Sequence, residues 1–123
     1  MRLHVVGCAR NASTPNIAMD PYSMVSYYLT TFLHRNKHEV HYYGFKESTV
    51  ECTKKWVCGD INHHKKYNVT EFEKTHWFES HVGNEIMFQK ATDYILKNYK
   101  SGDVIISLWS HQIDFLVLGF KGT

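Results

Sequence analysis

The sequence predicts an α/β fold, an open and mainly parallel doubly wound sheet with helices on both faces. Three observations predict it. Residues 2–44 read as strand, long helix, strand. Further along, the elements continue in the order strand, helix, strand. The last of these strands carries Val104, Ile105 and Ile106 consecutively. A strand covered on one side alternates apolar and polar residues, so three apolar residues in a row predict a strand inside a parallel sheet.

The first strand is "RLHVVGC", residues 2–8, with Gly7 at its exit. A polar loop follows from Arg10 to Asp20. Asp20-Pro21 then opens a helix, since Asp can cap free backbone N–H groups and Pro suits the first helical position. Met24, Val25, Tyr28, Leu29, Phe32 and Leu33 recur at three- and four-residue spacing and predict the buried face. His34 and Arg35 complement the helix dipole in the last turn, and Asn36 is the expected left-handed stop. "HEVHYYG", residues 38–44, is the second strand. Joined to the first by so long a helix, it should run parallel to it.

The middle of the chain is less periodic. A short third strand is expected near Trp56, Val57 and Cys58. Residues 60–81 read as a polar, His-rich loop with a short helix around 69–75. From Gly83-Asn84 a helix runs to about Lys100, with Met87, Ala91, Tyr94, Ile95 and Tyr99 as its buried stripe. Ser101-Gly102 ends it, Asp103 opens the strand Val104–Trp109, and another helix is expected from about Gln112.

Composition sets bounds on function. The chain has 123 residues, enough for one domain, and 43% are hydrophobic, which argues against disorder. A formal net charge of +2 is too small to point to nucleic acid. Lys54-Lys55 and Lys65-Lys66 read as solvated pairs. Three cysteines without CxxC do not suggest a disulfide scaffold. No signal peptide or membrane span is evident, so the expected location is the cytoplasm, and the sequons at Asn11 and Asn68 read as chance matches. Cys52, Cys58, His63 and His64 could supply zinc ligands, but their spacing is not a standard one and no metal is expected. Cys8 reads as a buried structural cysteine.

Parallel sheets bind ligands beyond the C-terminal ends of their strands. There the loop after the first strand brings Asn11, Ser13 and Thr14, and the last strand emerges at Ser110 and His111. Hydroxyl and amide groups from two loops suit a polyhydroxyl ligand. His111 is the candidate acid–base group, and a helix-capping histidine is the alternative. The first loop has no G-x-G-x-x-G and no P-loop, and the chain has no G-x-S-x-G.

"MRLHVVGCARN", "YSMVSYYLTTFLHRNKHEVHYYG", "ESTVEC" and "KSGDVIISLWSHQ" together resemble the N-terminal Rossmann-like half of GT-B glycosyltransferases, in the group-1-like, retaining branch. The resemblance implies transfer of a sugar from a nucleotide-sugar donor to an acceptor. It implies that residues 1–123 are the acceptor-side domain of a longer two-domain enzyme, inactive without a C-terminal donor-binding domain. His111 would be catalytic, while Asn11, Ser13, Thr14 and Ser110 would contact substrate. No cofactor is expected in this domain; the expected partners are a sugar or glycoconjugate acceptor and a second copy. The family's frequent Gly-Gly pair is missing from the first loop. The other expectation is a free-standing, flavodoxin-like binding module without catalysis.

Overall fold

A computed structural model describes residues 1–15, 21–67 and 81–108. Strand β1 (Arg2–Val6) leads to helix α1 (Pro21–Arg35) and strand β2 (Glu39–Phe45). Strand β3 (Lys54–Gly59), helix α2 (His63–Tyr67), helix α3 (His81–Asn98) and strand β4 (Val104–Ser107) follow. The four strands form one sheet in the order β3-β2-β1-β4, and every pair is parallel. The strand–helix–strand unit and the third strand thus form where the sequence predicts them. The expected helices at 69–75 and from Gln112 fall outside the described residues, as do Asp20, Trp109, Ser110 and His111. Among the described residues, no helix is long and apolar enough to cross a membrane.

Side chains alternate along each strand, so the sheet has two different faces. On one face Val6, Tyr43, Phe45 and Cys58 pack against Met87, Phe88, Ala91 and Ile95 of α3. On the other, Leu3, Val5 and Val40 form a smaller cluster with Leu33 of α1, Cys52 and Ile106. Helices therefore cover both faces. Residues 46–53 connect β2 to β3 without a helix. This connection is tied to α1 by Glu51 N–H donating to Thr31 Oγ1 (3.2 Å) and to β2 by Thr53 N–H donating to Val40 O (2.8 Å).

Four expectations need correction. Helix α1 turns its small polar residues to the sheet: Ser23, Ser26, Thr30 and Thr31 are buried, while Val25, Tyr28 and Phe32 are exposed. Short side chains let a helix approach a sheet closely, which the aromatic side would not. Strand β4 is at the end of the described sheet rather than inside it, and Val104 is 41% exposed. Its apolar run is nevertheless covered on both faces, since Ile105 packs on the α3-side cluster and Ile106 on the α1-side cluster. Residues 63–67 are a helix, not loop, held by the buried rings of His63 and His64. In α3, Met87, Ala91 and Ile95 are buried as predicted, but Tyr99 lies past the helix end and is exposed.

The end of α1 also differs by one residue. Lys37, not Asn36, takes the left-handed conformation (φ 69°). His38 N–H donates to Leu33 O (3.3 Å) and Lys37 N–H to His34 O (3.1 Å), the paired bonds of a Schellman stop. Glycine is favoured at this position, so Lys37→Gly should raise stability by about 0.5–1 kcal/mol in a urea titration.

At the N-terminal edge of the sheet, Asp103 Oδ2 collects several donors. It accepts from Arg2 Nη1, from His4 Nε2 (2.8 Å) and from Lys100 N–H (3.0 Å). His4 is fully buried between Asp103 and Tyr43, whose hydroxyl lies 2.7 Å from His4 Nδ1. Burial pushes the His4 pKa down, partly offset by Asp103. A neutral His4 thus donates from Nε2 and accepts the Tyr43 hydroxyl proton at Nδ1. Arg2 continues the chain of contacts to Glu39 (2.6 Å), Glu39 to His41 (2.8 Å), and Trp56 Nε1 donates to His41 Nδ1 (3.1 Å). This network stitches β1, β2, β3 and the turn before β4 together.

Candidate binding pocket

The loop after β1 is held in place residue by residue. Gly7 N–H donates to Tyr43 O (2.8 Å), which extends the β1–β2 ladder past the strand end. Cys8 and Ala9 are buried. His64 Nε2, from α2, donates to Ala9 O. Ser23 Oγ, in the first turn of α1, donates to Ala12 O and accepts from Thr14 N–H (3.3 Å).

Ser13 is the main anchor. It is fully buried, and its backbone N–H donates to Ser48 Oγ (2.9 Å). Its carbonyl accepts from Thr49 N–H (3.1 Å), and its hydroxyl accepts from Tyr42 (2.6 Å). Burial pushes the Tyr42 hydroxyl up to about 12, so it remains a donor across the physiological range. The ring of Tyr42 crosses a slot between Gly7 and Gly44. A Cβ on Gly7 would lie 2.7 Å from Tyr42 Cζ, and one on Gly44 would lie 2.6 Å from it. Both glycines are needed here because a side chain would occupy the ring's space.

The anchored loop forms one wall of a pocket of about 160 Å³. Arg10, Asn11 and Thr14 line it from the β1 loop, Phe45 and Glu47 from the end of β2, and Ile61 from the residues after β3. It therefore opens at the C-terminal edge of the sheet. Buried Phe45 provides an aromatic floor, exposed Ile61 adds an apolar edge, and Arg10 and Glu47 bring opposite charges to the lining. The Arg10 guanidinium also lies over the ring of Tyr22, 5.2 Å from its centroid. Phe45 is backed by the rings of His63 and His64, at 5.4 and 5.9 Å.

Of the residues singled out from sequence, the structure brings Asn11 and Thr14 to this pocket. Ser13 lies in the same loop, buried beneath it with its hydroxyl engaged by Tyr42. Ser110 and His111 fall outside the described residues. The cysteines and histidines weighed as zinc ligands are dispersed. Cys52 packs on the α1 face and Cys58 on the α3 face. Burial pushes the Cys58 thiol up to about 12. His63 Nε2 donates to Gly83 O (2.7 Å), and His64 Nε2 is taken by Ala9 O. Among the described residues, no group of three or more His, Cys, Asp or Glu side chains is placed to hold a metal ion.

Sequence reasoning missed Phe45, Glu47 and Ile61 as lining residues and Tyr42 and Ser48 as supports. A usable signal was present for Tyr42. It stands between Gly7 and Gly44, each at the end of a predicted strand, and paired glycines beside a tyrosine mark a possible slot for its ring. No known protein family, curated protein or solved structure matches the chain.

Proposed function

We propose that the chain is the acceptor-side, Rossmann-like half of a GT-B glycosyltransferase. In this reading it holds a sugar or glycoconjugate acceptor, while a C-terminal half brings the nucleotide-sugar donor. The observation that carries the reading is the pocket at the C-terminal edge of an all-parallel sheet. Its volume suits one ring-sized group. The aromatic floor of Phe45 offers a surface for the C–H face of a sugar ring. Asn11, Thr14, Arg10 and Glu47 offer donors and acceptors for its hydroxyls. Ser110 and His111 follow β4 in the chain, and β4 pairs with β1, whose loop forms the pocket wall. In this proposal His111 serves as the acid–base group and Ser110 contacts substrate. No cofactor is assigned to this half, and the site of action is the cytoplasm.

A binding module without catalysis is the second reading. It rests on the same pocket, used for binding alone.

The test is a titration of the isotope-labelled chain with mono- and disaccharides, followed by amide resonances. Shifts should concentrate at residues 10–14, 45–47 and 61. Asn11→Ala should weaken binding roughly five- to tenfold, the loss of about one hydrogen bond. Absence of saccharide binding, or shifts confined to α3, would refute the acceptor site. If sugars bind, transfer from a nucleotide sugar by the chain joined to its donor-binding half separates the two readings. Loss of transfer in His111→Ala with the fold intact is expected from the first.

A further inference from the structure

We propose that Tyr43 is a buried tyrosyl-radical site, filled by one-electron oxidation relayed through Trp56. The chemistry is independent of the glycosyltransferase reading.

Side chains two apart on a strand share a face, and paired strands set them side by side. On the α3 face this brings together His4 of β1, His41 and Tyr43 of β2, and Trp56 of β3. The rings of Tyr43 and Trp56 lie nearly parallel, with centroids 6.0 Å apart and planes inclined by 8°. Each ring has its own imidazole base. Tyr43 Oη donates to His4 Nδ1 (2.7 Å), and His4 Nε2 donates to Asp103 (2.8 Å). Trp56 Nε1 donates to His41 Nδ1 (3.1 Å), and His41 Nε2 donates to Glu39 (2.8 Å). Two relays of arene, imidazole and carboxylate therefore stand in stacking contact.

Exposure sets the direction of flow. Trp56 is half-buried on β3, at the end of the described sheet, whereas Tyr43 and His4 are fully buried. An oxidant in solution meets Trp56 first. The Lys54 ammonium lies 3.9 Å from the Trp56 ring centroid. A cation there is attracted to the neutral ring and repels a positive hole, which favours passage inward. Tyr43 has no water to take its proton, and burial pushes its pKa up. Its proton has one way out, the bond to His4. The carboxylate of Asp103 stabilises the imidazolium that results.

The steps balance. A one-electron oxidant, of the class of the carbonate or nitrogen dioxide radical, takes an electron from the Trp56 indole and leaves as its reduced anion. The Nε1 proton passes to His41 Nδ1. Tyr43 then gives one electron to Trp56 and its hydroxyl proton to His4 Nδ1, and His41 returns its proton to Trp56. In sum, Tyr43 has lost one electron to the oxidant and one proton to His4. The ring of Tyr94 is also near Trp56, at 5.1 Å and 38°. Among the described residues no imidazole accepts from its hydroxyl, so Tyr94 lacks a base for the same step.

Flash photolysis of the chain with a ruthenium tris-bipyridine sensitiser and a cobalt(III) electron acceptor tests this. A tryptophanyl absorbance should appear first and give way to a tyrosyl signal. That signal should persist, because a buried radical cannot couple with a second one. Tyr43→Phe keeps the ring and should abolish the persistent tyrosyl signal while prolonging the tryptophanyl one. Trp56→Phe should abolish it as well, and Tyr94→Phe should change neither signal. Heavy water should slow the handover, since a proton moves with the electron. His4→Gln removes the acceptor and should leave the hole on Trp56; if that variant does not fold, the heavy-water comparison on the unaltered chain tests the same step. A persistent tyrosyl signal that survives Tyr43→Phe or Trp56→Phe overturns the proposal. So does a handover indifferent to heavy water.

Discussion

Replacing Asp103 with Asn should cost about 2–4 kcal/mol of stability at pH 7, measured by urea unfolding. One oxygen of this side chain, 6% exposed, accepts from Arg2, from fully buried His4 and from a backbone N–H. An amide has no charge and turns an NH2 towards donors on at least one side. Removing one member of a partly buried charge network leaves the others desolvated and unpaired. The same network makes stability fall in acid, in two windows. Burial holds the His4 pKa below its ordinary 6.5 despite the pull of Asp103. The unfolded chain therefore takes up the proton first. The His4 contribution is complete above pH 6.5 and is lost as pH falls from there towards the folded value. Burial also disfavours the Asp103 carboxylate. The hydrogen bonds from His4, Lys100 and Arg2 outweigh that effect and hold its pKa at about 2, against an ordinary 3.8. Its contribution is complete above pH 3.8 and disappears as pH drops to about 2. Unfolding free energies from pH 2 to 8 should show both losses. In Asp103→Asn the lower one should vanish. A pH-independent wild type would contradict this account of the network.

Gly44→Ala and Gly7→Ala should each destabilise the protein by about 2–4 kcal/mol, more than an alanine normally costs in a strand. The new Cβ would occupy the space of the Tyr42 ring. Overpacking of this kind typically costs about 1–3 kcal/mol, and here it also displaces the Tyr42 hydroxyl from Ser13 and Ser48. Tyr42→Leu alone should be destabilising, since it removes a buried ring and its hydrogen bonds. Combined with Gly44→Ala it should cost clearly less than the sum of the two, because both act on one slot. Additive losses would show that the glycine is required for another reason. The loop should report the same event: amides at residues 10–14 should exchange faster in Gly7→Ala, because their anchor at Ser13 is loosened.

Much of the architecture was readable from local pattern. The β1–α1–β2 unit, β3 and the buried stripe of α3 follow from periodicity, turn residues and the length of the connection. What failed was the assignment of sides. The apolar stripe of α1 predicts a buried face, but periodicity does not say which face a helix turns to a sheet. Ser and Thr at positions 23, 26, 30 and 31 were the contrary signal, as short side chains permit close approach. Val104-Ile105-Ile106 predicts an interior strand covered on both faces; Ile105 and Ile106 do pack on opposite clusters, yet the strand ends the described sheet and Val104 is exposed. The pairing of His4 with Asp103 spans nearly the whole chain and has no local trace. The pocket was partly legible: Asn11 and Thr14 follow from the rule that ligands meet strand ends, whereas Phe45, Glu47 and Ile61 become neighbours only when three strands align.

The charge network and the pocket occupy opposite ends of the same strands. Substitutions at the pocket therefore act far from the residues that keep the domain folded in acid. Such a layout leaves the pocket lining free to drift, or to be re-engineered, at little risk to the scaffold. Tyr43 is the exception: its hydroxyl bonds His4 of the network and its carbonyl accepts from Gly7 N–H at the start of the pocket loop, so its replacement would forfeit this independence.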